Sequence, residues 1–201
     1  DMTIRIWEIV RGVCLKRLDC SNYIAIELCE MDDGRIASCS VDLILCYWDA
    51  INLEYQFTST ELNSENFNEV ENNMIVQNNL SHSDSVIALC SLDDGRILTG
   101  SKDHTVRLWN CRYGTCEMIF YGHTGWVEAV CAVLLGRIAS GSNDRRVRVW
   151  NIDNGKCIFI LKGHNSRIIT LCNIKNYIIS GSHDQTIRVW NNESGDCMHI
   201  M

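Results

Sequence analysis

The chain has 201 residues, with 18 Lys and Arg against 25 Asp and Glu for a formal net charge of -7, and it combines 12 cysteines and 13 glycines with no proline. Its 46% hydrophobic and 21% charged residues are ordinary for a globular chain and exclude a disordered or collagen-like one, while the acidic balance speaks against a general nucleic-acid binder, which carries a basic excess. No apolar run approaches the ~18 residues of a membrane helix, and the opening DMTIRIW lacks the charged-then-apolar pattern of a signal peptide.

In chain order, the first recognisable unit is Asp1 to Trp7 (DMTIRIW), an Asp six residues before a Trp with apolar residues alternating between them. It returns as Asp42 to Trp48 (DLILCYW), Asp103 to Trp109 (DHTVRLW), Asp144 to Trp150 (DRRVRVW) and Asp184 to Trp190 (DQTIRVW), with Trp spacings of 41, 61, 41 and 40. A period near 40 suits four short strands joined by tight turns, and the alternation places Arg and Trp on one strand face with the aliphatic residues on the other. Residues 1–19 supply two strands, 20–58 a full four-stranded unit, and 80–120, 121–161 and 162–201 three more. In 121–161 the strands are expected at 126–132, 137–142, 146–150 and 156–161. Turns at Gly34, Gly95 and Gly136 join first to second strands, because glycine accepts positive φ. Such a sheet is apolar on both faces and has to stack on neighbours.

The 61-residue spacing marks an insertion at 59–79, which carries Glu61, Glu65, Glu69 and Glu71, many Asn, and no Lys or Arg. One-sign charge and low hydrophobicity suggest a loop. The strand before it is either Tyr55 to Phe57 or a segment at Ile75-Val76; the former keeps the regular offset from Trp48.

Upstream of the Asp-to-Trp cores stand Ser81-His82, Gly122-His123 and Gly163-His164, and the His-to-Asp spacings are 21, 21 and 20. With these residues the chain resembles the WD-repeat β-propeller family over nearly its whole length, although the namesake dipeptide is literal only at Trp48-Asp49. The resemblance implies an all-β propeller of about four and a half four-stranded blades, an incomplete ring. Rings of this kind close with about seven blades. The chain is therefore expected to be part of a longer protein and to form an open arc, whose bare edges invite the missing blades or self-association.

The cysteines fall into register. Cys29, Cys90, Cys131 and Cys172 share a place near the end of the first strand, and Cys14, Cys116, Cys157 and Cys197 a place in the fourth. They are expected to be small buried packing residues in a reducing compartment, the cytoplasm or alternatively the nucleus. No CxxC pair occurs, so neither a metal nor another cofactor is expected.

Three units contain a His, a hydroxyl, an Asp and a Trp that the family brings together: His82, Thr99, Asp103 and Trp109; His123, Ser140, Asp144 and Trp150; His164, Ser180, Asp184 and Trp190. A Ser-His-Asp set is also the composition of a hydrolase triad. Three copies in register, one with Thr for Ser, argue instead for a structural network. The resemblance implies that this network ties the loop before the first strand to the turn between the second and third. In unit 20–58 Ser21 stands where the His is expected, leaving Ser38, Asp42 and Trp48, so that blade should be less tightly tied. Arg5, Arg107, Arg148 and Arg188 recur two residues before a Trp; a phosphate-binding stripe would look like this, but recurrence at one strand position favours a scaffold role.

Function should lie in what does not repeat, on loops of a rigid scaffold. Family geometry puts the start of each first strand and the second turn on one rim. That rim collects Ile24, Ser85, Trp126 and Arg167, with Glu128 where other units carry Ile, and Lys102, His104, Asn143, Arg145, Arg146 and His183. Trp and Arg are enriched in binding hot spots, and the arginines suit acidic or phosphorylated groups; the alternative is that Trp126 packs between blades and the arginines are solvated. The insertion is expected on the same rim, shielding or competing for the basic patch, or else as a tolerated addition. The expected function is a non-enzymatic scaffold that binds protein or peptide partners, with no nucleic acid and no membrane. The alternatives are the substrate-recognition part of a ubiquitin-ligase adaptor, since the repeat style is similar to the F-box-containing branch, or a regulatory propeller fused to a catalytic domain elsewhere.

Overall fold

Alternating apolar and polar residues bounded by Gly, Asn and Asp turns give short strands and, among the described residues, no helix. The computed structural model describes residues 3–19, 25–30, 35–40, 45–49, 55–58, 81–110, 113 and 115–201. A two-stranded sheet comes first, β1 (Thr3–Glu8) and β2 (Val13–Asp19), followed by four sheets of four strands. The second holds β3 (Ala25–Glu30), β4 (Arg35–Ser40), β5 (Leu45–Asp49) and β6 (Tyr55–Thr58). The third holds β7 (Val86–Ser91), β8 (Arg96–Ser101), β9 (Val106–Asn110) and β10 (Thr115–Phe120). The fourth holds β11 (Val127–Val133), β12 (Arg137–Ser142), β13 (Arg146–Asn151) and β14 (Cys157–Lys162). The fifth holds β15 (Ile168–Ile174), β16 (Tyr177–Ser182), β17 (Ile187–Asn191) and β18 (Cys197–Ile200). Within each sheet the strands run antiparallel in chain order, the up-and-down blade of a propeller.

The strand bounds differ slightly from those expected for 121–161. β11 and β14 each start one residue later, because the Trp126 carbonyl accepts the Asn143 N–H at 2.8 Å and the Lys156 carbonyl the Asn151 N–H at 2.9 Å, so both residues belong to connecting turns. β6 is Tyr55–Thr58, paired to β5. The insertion at 59–79, Ile75-Val76 included, lies outside the described residues.

Apolar seams hold the sheets against one another. Between the third and fourth, Leu98, Val106, Leu108 and Phe120 meet Val127, Ile138 and Trp150. Between the fourth and fifth, Ala139, Val147, Val149 and Leu161 meet Ile168, Ile178 and Trp190. Ala37 of the second packs with Val86, Ile97 and Trp109 of the third. In every seam the Trp comes from the later sheet and faces the earlier one. Trp7 of the first sheet is the exception, 52% exposed. A polar contact also crosses the seam between the second and third sheets: Leu89 N–H donates to Glu27 Oε2 at 2.6 Å. Burial pushes the Glu27 carboxyl up, against the lowering effect of that bond.

The glycines of β8 and β12 are set by these seams. A Cβ on Gly141 would lie 2.5 Å from Ile168 Cγ2, and one on Gly100 would lie 2.8 Å from Val127 Cγ1. Neighbouring sheets approach so closely there that no larger residue fits.

The expectation that the repeat cysteines are uniformly buried is corrected. Cys131 is buried and Cys29, Cys90 and Cys116 half-buried, but Cys14, Cys157, Cys172 and Cys197 are exposed. Cys157 and Cys197 lie on the last strands of their sheets, β14 and β18, and Cys14 on β2 of the two-stranded sheet, where sheet twist splays neighbouring sheets apart. Cys172 is on the fifth sheet, where Ile187 is also exposed although its equivalents Val106 and Val147 are buried.

Gly141→Ala should destabilise the chain by about 1–3 kcal/mol, the usual cost of overpacking. Combined with Ile168→Ala, which removes the obstructing methyl, the loss should be smaller than the sum of the two single losses; urea denaturation in a double-mutant cycle measures the difference.

Candidate functional site

Ser140 sits on β12 opposite Arg148, one residue before Gly141, and so points to the same face as Trp150. The Trp150 indole N–H donates to Ser140 Oγ at 2.8 Å, and Ser140 Oγ is 2.8 Å from His123 Nε2. His123 Nδ1 is 2.7 Å from Asp144 Oδ2. One assignment satisfies every donor: Trp N–H to the hydroxyl, hydroxyl to Nε2, and Nδ1–H to the carboxylate, with the imidazole neutral. The same chain runs through Trp109, Thr99, His82 and Asp103 at 2.7, 2.7 and 2.8 Å, and through Trp190, Ser180, His164 and Asp184 at 2.8, 2.8 and 2.9 Å. In the second sheet Ser38 is buried. Ser21 and Asp42 lie outside the described residues, and of Trp48 only the backbone, on β5, is described.

Each Asp then closes a turn. Asp144 Oδ2 accepts the Thr124 N–H at 3.2 Å and Oδ1 the Arg146 N–H at 2.9 Å, while the Ser142 hydroxyl donates to the Gly125 carbonyl at 2.9 Å. The loop before β11 is thereby locked to the β12–β13 turn. Burial pushes the Asp144 carboxyl up, but the His123 interaction and the two backbone N–H groups outweigh it and hold it below the usual range. Asp103 is held down in the same way by His82 and Thr105 against its own burial. Burial drives the His82 imidazole below its ordinary value in spite of the raising pull of Asp103, which agrees with the neutral assignment.

Chemically the tetrads have the connectivity of a Ser-His-Asp relay, but Ser140 is fully buried and its Oγ already receives an indole N–H. A nucleophile needs an approach for its substrate, and burial closes this oxygen off.

Above the tetrads lies the rim. In three sheets the same backbone bond joins the residue before the first strand to the second turn: Lys102 N–H to Ser85 O, Asn143 N–H to Trp126 O, and His183 N–H to Arg167 O, at 2.9, 2.8 and 3.0 Å. Trp126 is 41% exposed rather than packed in a seam. The Lys102 ammonium of the preceding sheet stands 4.8 Å from the centre of its ring, a cation–π arrangement. Arg167 Nη1 is 3.4 Å from Glu128 Oε1. Arg145 and His104 occupy exposed turn tips with φ of 67° and 70°, and Arg146 follows Arg145 at the start of β13.

The structure thus brings together Trp126 with Lys102, and Arg167 with Glu128, each pair spanning two sheets. His104, Arg145, Arg146 and His183 share the rim through their turns. The two cross-sheet pairs were not visible in sequence. A signal existed for one of them: Glu128 replaces the Ile of other units and lies 39 residues before Arg167, about one repeat away. Among the described residues no cluster of His, Cys, Asp and Glu has the arrangement of a metal site.

Comparison with known proteins agrees with this geometry. A family model described as WD domain, G-beta repeat, matches residues 75–110, 114–151 and 155–191, together more than half of the chain. Over 28 residues, 14% of the chain, it is 57% identical to WD repeat-containing protein pop1 of Schizosaccharomyces pombe. Over 138 residues, 63% of the chain, it is 28% identical to nuclear distribution protein PAC1 of Arthroderma otae. The chain spans only 4% and 28% of those two proteins. A crystal structure of the computationally designed Ika8 protein superimposes on the whole chain with a TM-score of 0.76 at 25% identity, and 56% of that protein is covered.

Ser140→Ala should destabilise by about 2–4 kcal/mol, because it leaves two buried partners, Trp150 Nε1–H and His123 Nε2, unpaired; a denaturant melt reads this directly. The pH dependence has a definite sign. His82, Asp103 and Asp144 all titrate lower in the folded chain than in the unfolded one, so the unfolded chain binds protons first and stability falls with pH. The loss should begin below about pH 6.5 through His82 and continue below about pH 4 through the two carboxyls; urea midpoints at pH 7.5, 5.5 and 3.5 that did not descend would contradict it.

Proposed function

The chain belongs to the WD-repeat family, whose propellers are protein-interaction scaffolds and generally non-catalytic, and from that premise we propose that it binds acidic segments of protein partners on the rim around Trp126. The observation that carries this reading is the Trp126–Lys102 pair. It is an exposed indole with an ammonium over it, and Arg145, Arg146 and Arg167 stand on or beside turns of the same rim in a chain whose net charge is -7.

Basic groups gathered on one rim of an acidic chain favour approach of a negatively charged partner and orient it before contact. Trp126 supplies rigid apolar area at little entropic cost, and one of its faces is already occupied by Lys102, so a partner stacks on the other face or against its edge. The guanidiniums of Arg145 and Arg146 offer bidentate contacts to carboxylate or phosphate. Glu128, beside Arg167, sets a threshold: a partner acid has to compete with it, which disfavours weakly charged segments.

A tetrad beneath each rim segment holds its turn in place, so the rim is preorganised and loses little freedom on binding. Partners isolated with the wild-type chain should be lost from a Trp126→Ala/Arg167→Ala double variant, with affinity reduced about tenfold or more as expected for hot-spot residues. The remaining binding should weaken further as salt is raised. An unchanged partner set, measured by co-purification with an equally stable variant, rejects this rim as the binding surface.

A further inference from the structure

Neighbouring sheets meet chiefly through their first strands, so their last strands stand on the open side of the stack. β10 and β14 each end the strand order of their sheet, and the N–H and C=O groups they turn away from β9 and β13 have no further strand to pair with. The third sheet closes this edge with charge. Arg96 Nη2 lies 2.6 Å from Asp94 Oδ2 and its Nη1 lies 3.3 Å from Glu117 Oε2 on β10, while Glu117 Oε1 accepts the Asn110 side-chain N–H at 2.8 Å. A carboxylate held there makes the edge a poor template for another chain.

The fourth sheet lacks that network. At the matching places stand Leu135 for Asp94 and Ile158 for Glu117. Arg137, the counterpart of Arg96, instead donates from Nη1 to the Asn192 carbonyl of the fifth sheet at 2.7 Å. What remains is an uncharged edge: residues 157–161 read CIFIL, framed by Lys156 and Lys162. Ile158 is 37% and Ile160 44% exposed. Since the fourth sheet is packed against the third on one face and the fifth on the other, no missing sheet accounts for their exposure. Leu161 of the same strand is buried in the seam with the fifth sheet, which holds the edge in place. A short run of strong strand formers with no internal charge and no proline is the composition that adds strands readily.

The lysines select the strand that is added. A second copy of this chain would bring two more lysines and no acid along KCIFILK, on a molecule of the same net charge of -7, so like charges would oppose both locally and overall. A segment with acidic ends meets the opposite field. We infer that β14 is a strand-addition site for an extended segment of a partner protein, with β-branched residues at alternate positions and an acid at each end. The segment pairs through its main chain with the open edge of β14, lays its apolar side chains on Ile158 and Ile160, and sets its carboxylates against Lys156 and Lys162. This site uses neither Trp126 nor Arg167.

The test takes the 201-residue chain and three fluorescein-labelled, end-capped peptides: EVTVTVE, its lysine counterpart KVTVTVK, and EVTPTVE, whose central proline cannot join a ladder. Fluorescence anisotropy should show EVTVTVE binding at least about tenfold more tightly than either of the others. Ile158→Glu, which returns the third sheet's carboxylate to the edge, should weaken that binding at least about tenfold. Lys156→Glu/Lys162→Glu should reverse the preference in favour of KVTVTVK. Amide hydrogen exchange at residues 158–162 should slow when EVTVTVE is added, and Trp126→Ala/Arg167→Ala should bind this peptide as the wild type does. Equal binding of EVTVTVE and EVTPTVE overturns the inference, and so does a charge-reversed variant that keeps the wild-type preference. Dimerisation of the chain alone in sedimentation, abolished by Ile158→Glu, also overturns it, in favour of a second copy at this edge.

Discussion

The hydrogen bond from each buried indole N–H to the hydroxyl beneath it couples the two kinds of order in this chain. The Trp150 ring belongs to a seam, with its centre 5.7 Å from that of Phe120 in the preceding sheet, while its N–H starts the polar chain that ends on a rim turn. Burying an aromatic ring of this size is worth several kcal/mol at about 25 cal/mol per Å², provided the N–H finds an acceptor. Ser140 Oγ is that acceptor, and its own O–H donates in turn to His123 Nε2. Orientation therefore passes without slack from the apolar seam to Asp144 and to the loop that bears Trp126. Seam and rim are linked in this way in the third, fourth and fifth sheets.

The recurrent arginines belong to the same unit. The Arg148 and Arg188 guanidiniums lie 5.8 and 5.9 Å from the Trp150 and Trp190 ring centres, each with Nη1 3.8 Å from a cysteine sulfur of the fourth strand. They also explain the glycine before His123 and His164. A Cβ on Gly163 would lie 2.5 Å from Arg188 Nη1, and Gly122 has φ 146° with Arg148 Nη1 3.2 Å from where its Cβ would be. A guanidinium stacked on an indole and backed by a glycine is committed to the sheet, which removes it from the charge available to partners.

Much of this was legible because it repeats. The Asp-to-Trp spacing, the His ahead of it and the small residue between them recur at constant offsets, and a repeated offset along a chain becomes a repeated distance in space. What was illegible crosses between sheets or departs from the ladder. Lys102 meets Trp126 only because two sheets stack, and no feature of either segment alone announces it. The fourth-strand cysteines read as core because they were in register with each other, whereas their burial depends on how far twist has opened the stack at that radius. Nothing in the repeat singles out Asn192, and only the fold shows its carbonyl accepting from the Arg137 guanidinium of the neighbouring sheet at 2.7 Å.

The first strands of the four-stranded sheets share an irregularity with a consequence for their chemistry. Their ladders skip a residue near the start, between Ala25 and Glu27, Val86 and Ala88, Val127 and Ala129, and Ile168 and Thr170. The skipped residue stands outside the alternation that assigns every other side chain to a seam, and it is Ile in three sheets and Glu in the fourth. Such a position can change from oil to charge without repacking a core, as Glu128 does in reaching Arg167. Each four-stranded sheet therefore has one first-strand position whose charge is not fixed by the alternation that fills the seams.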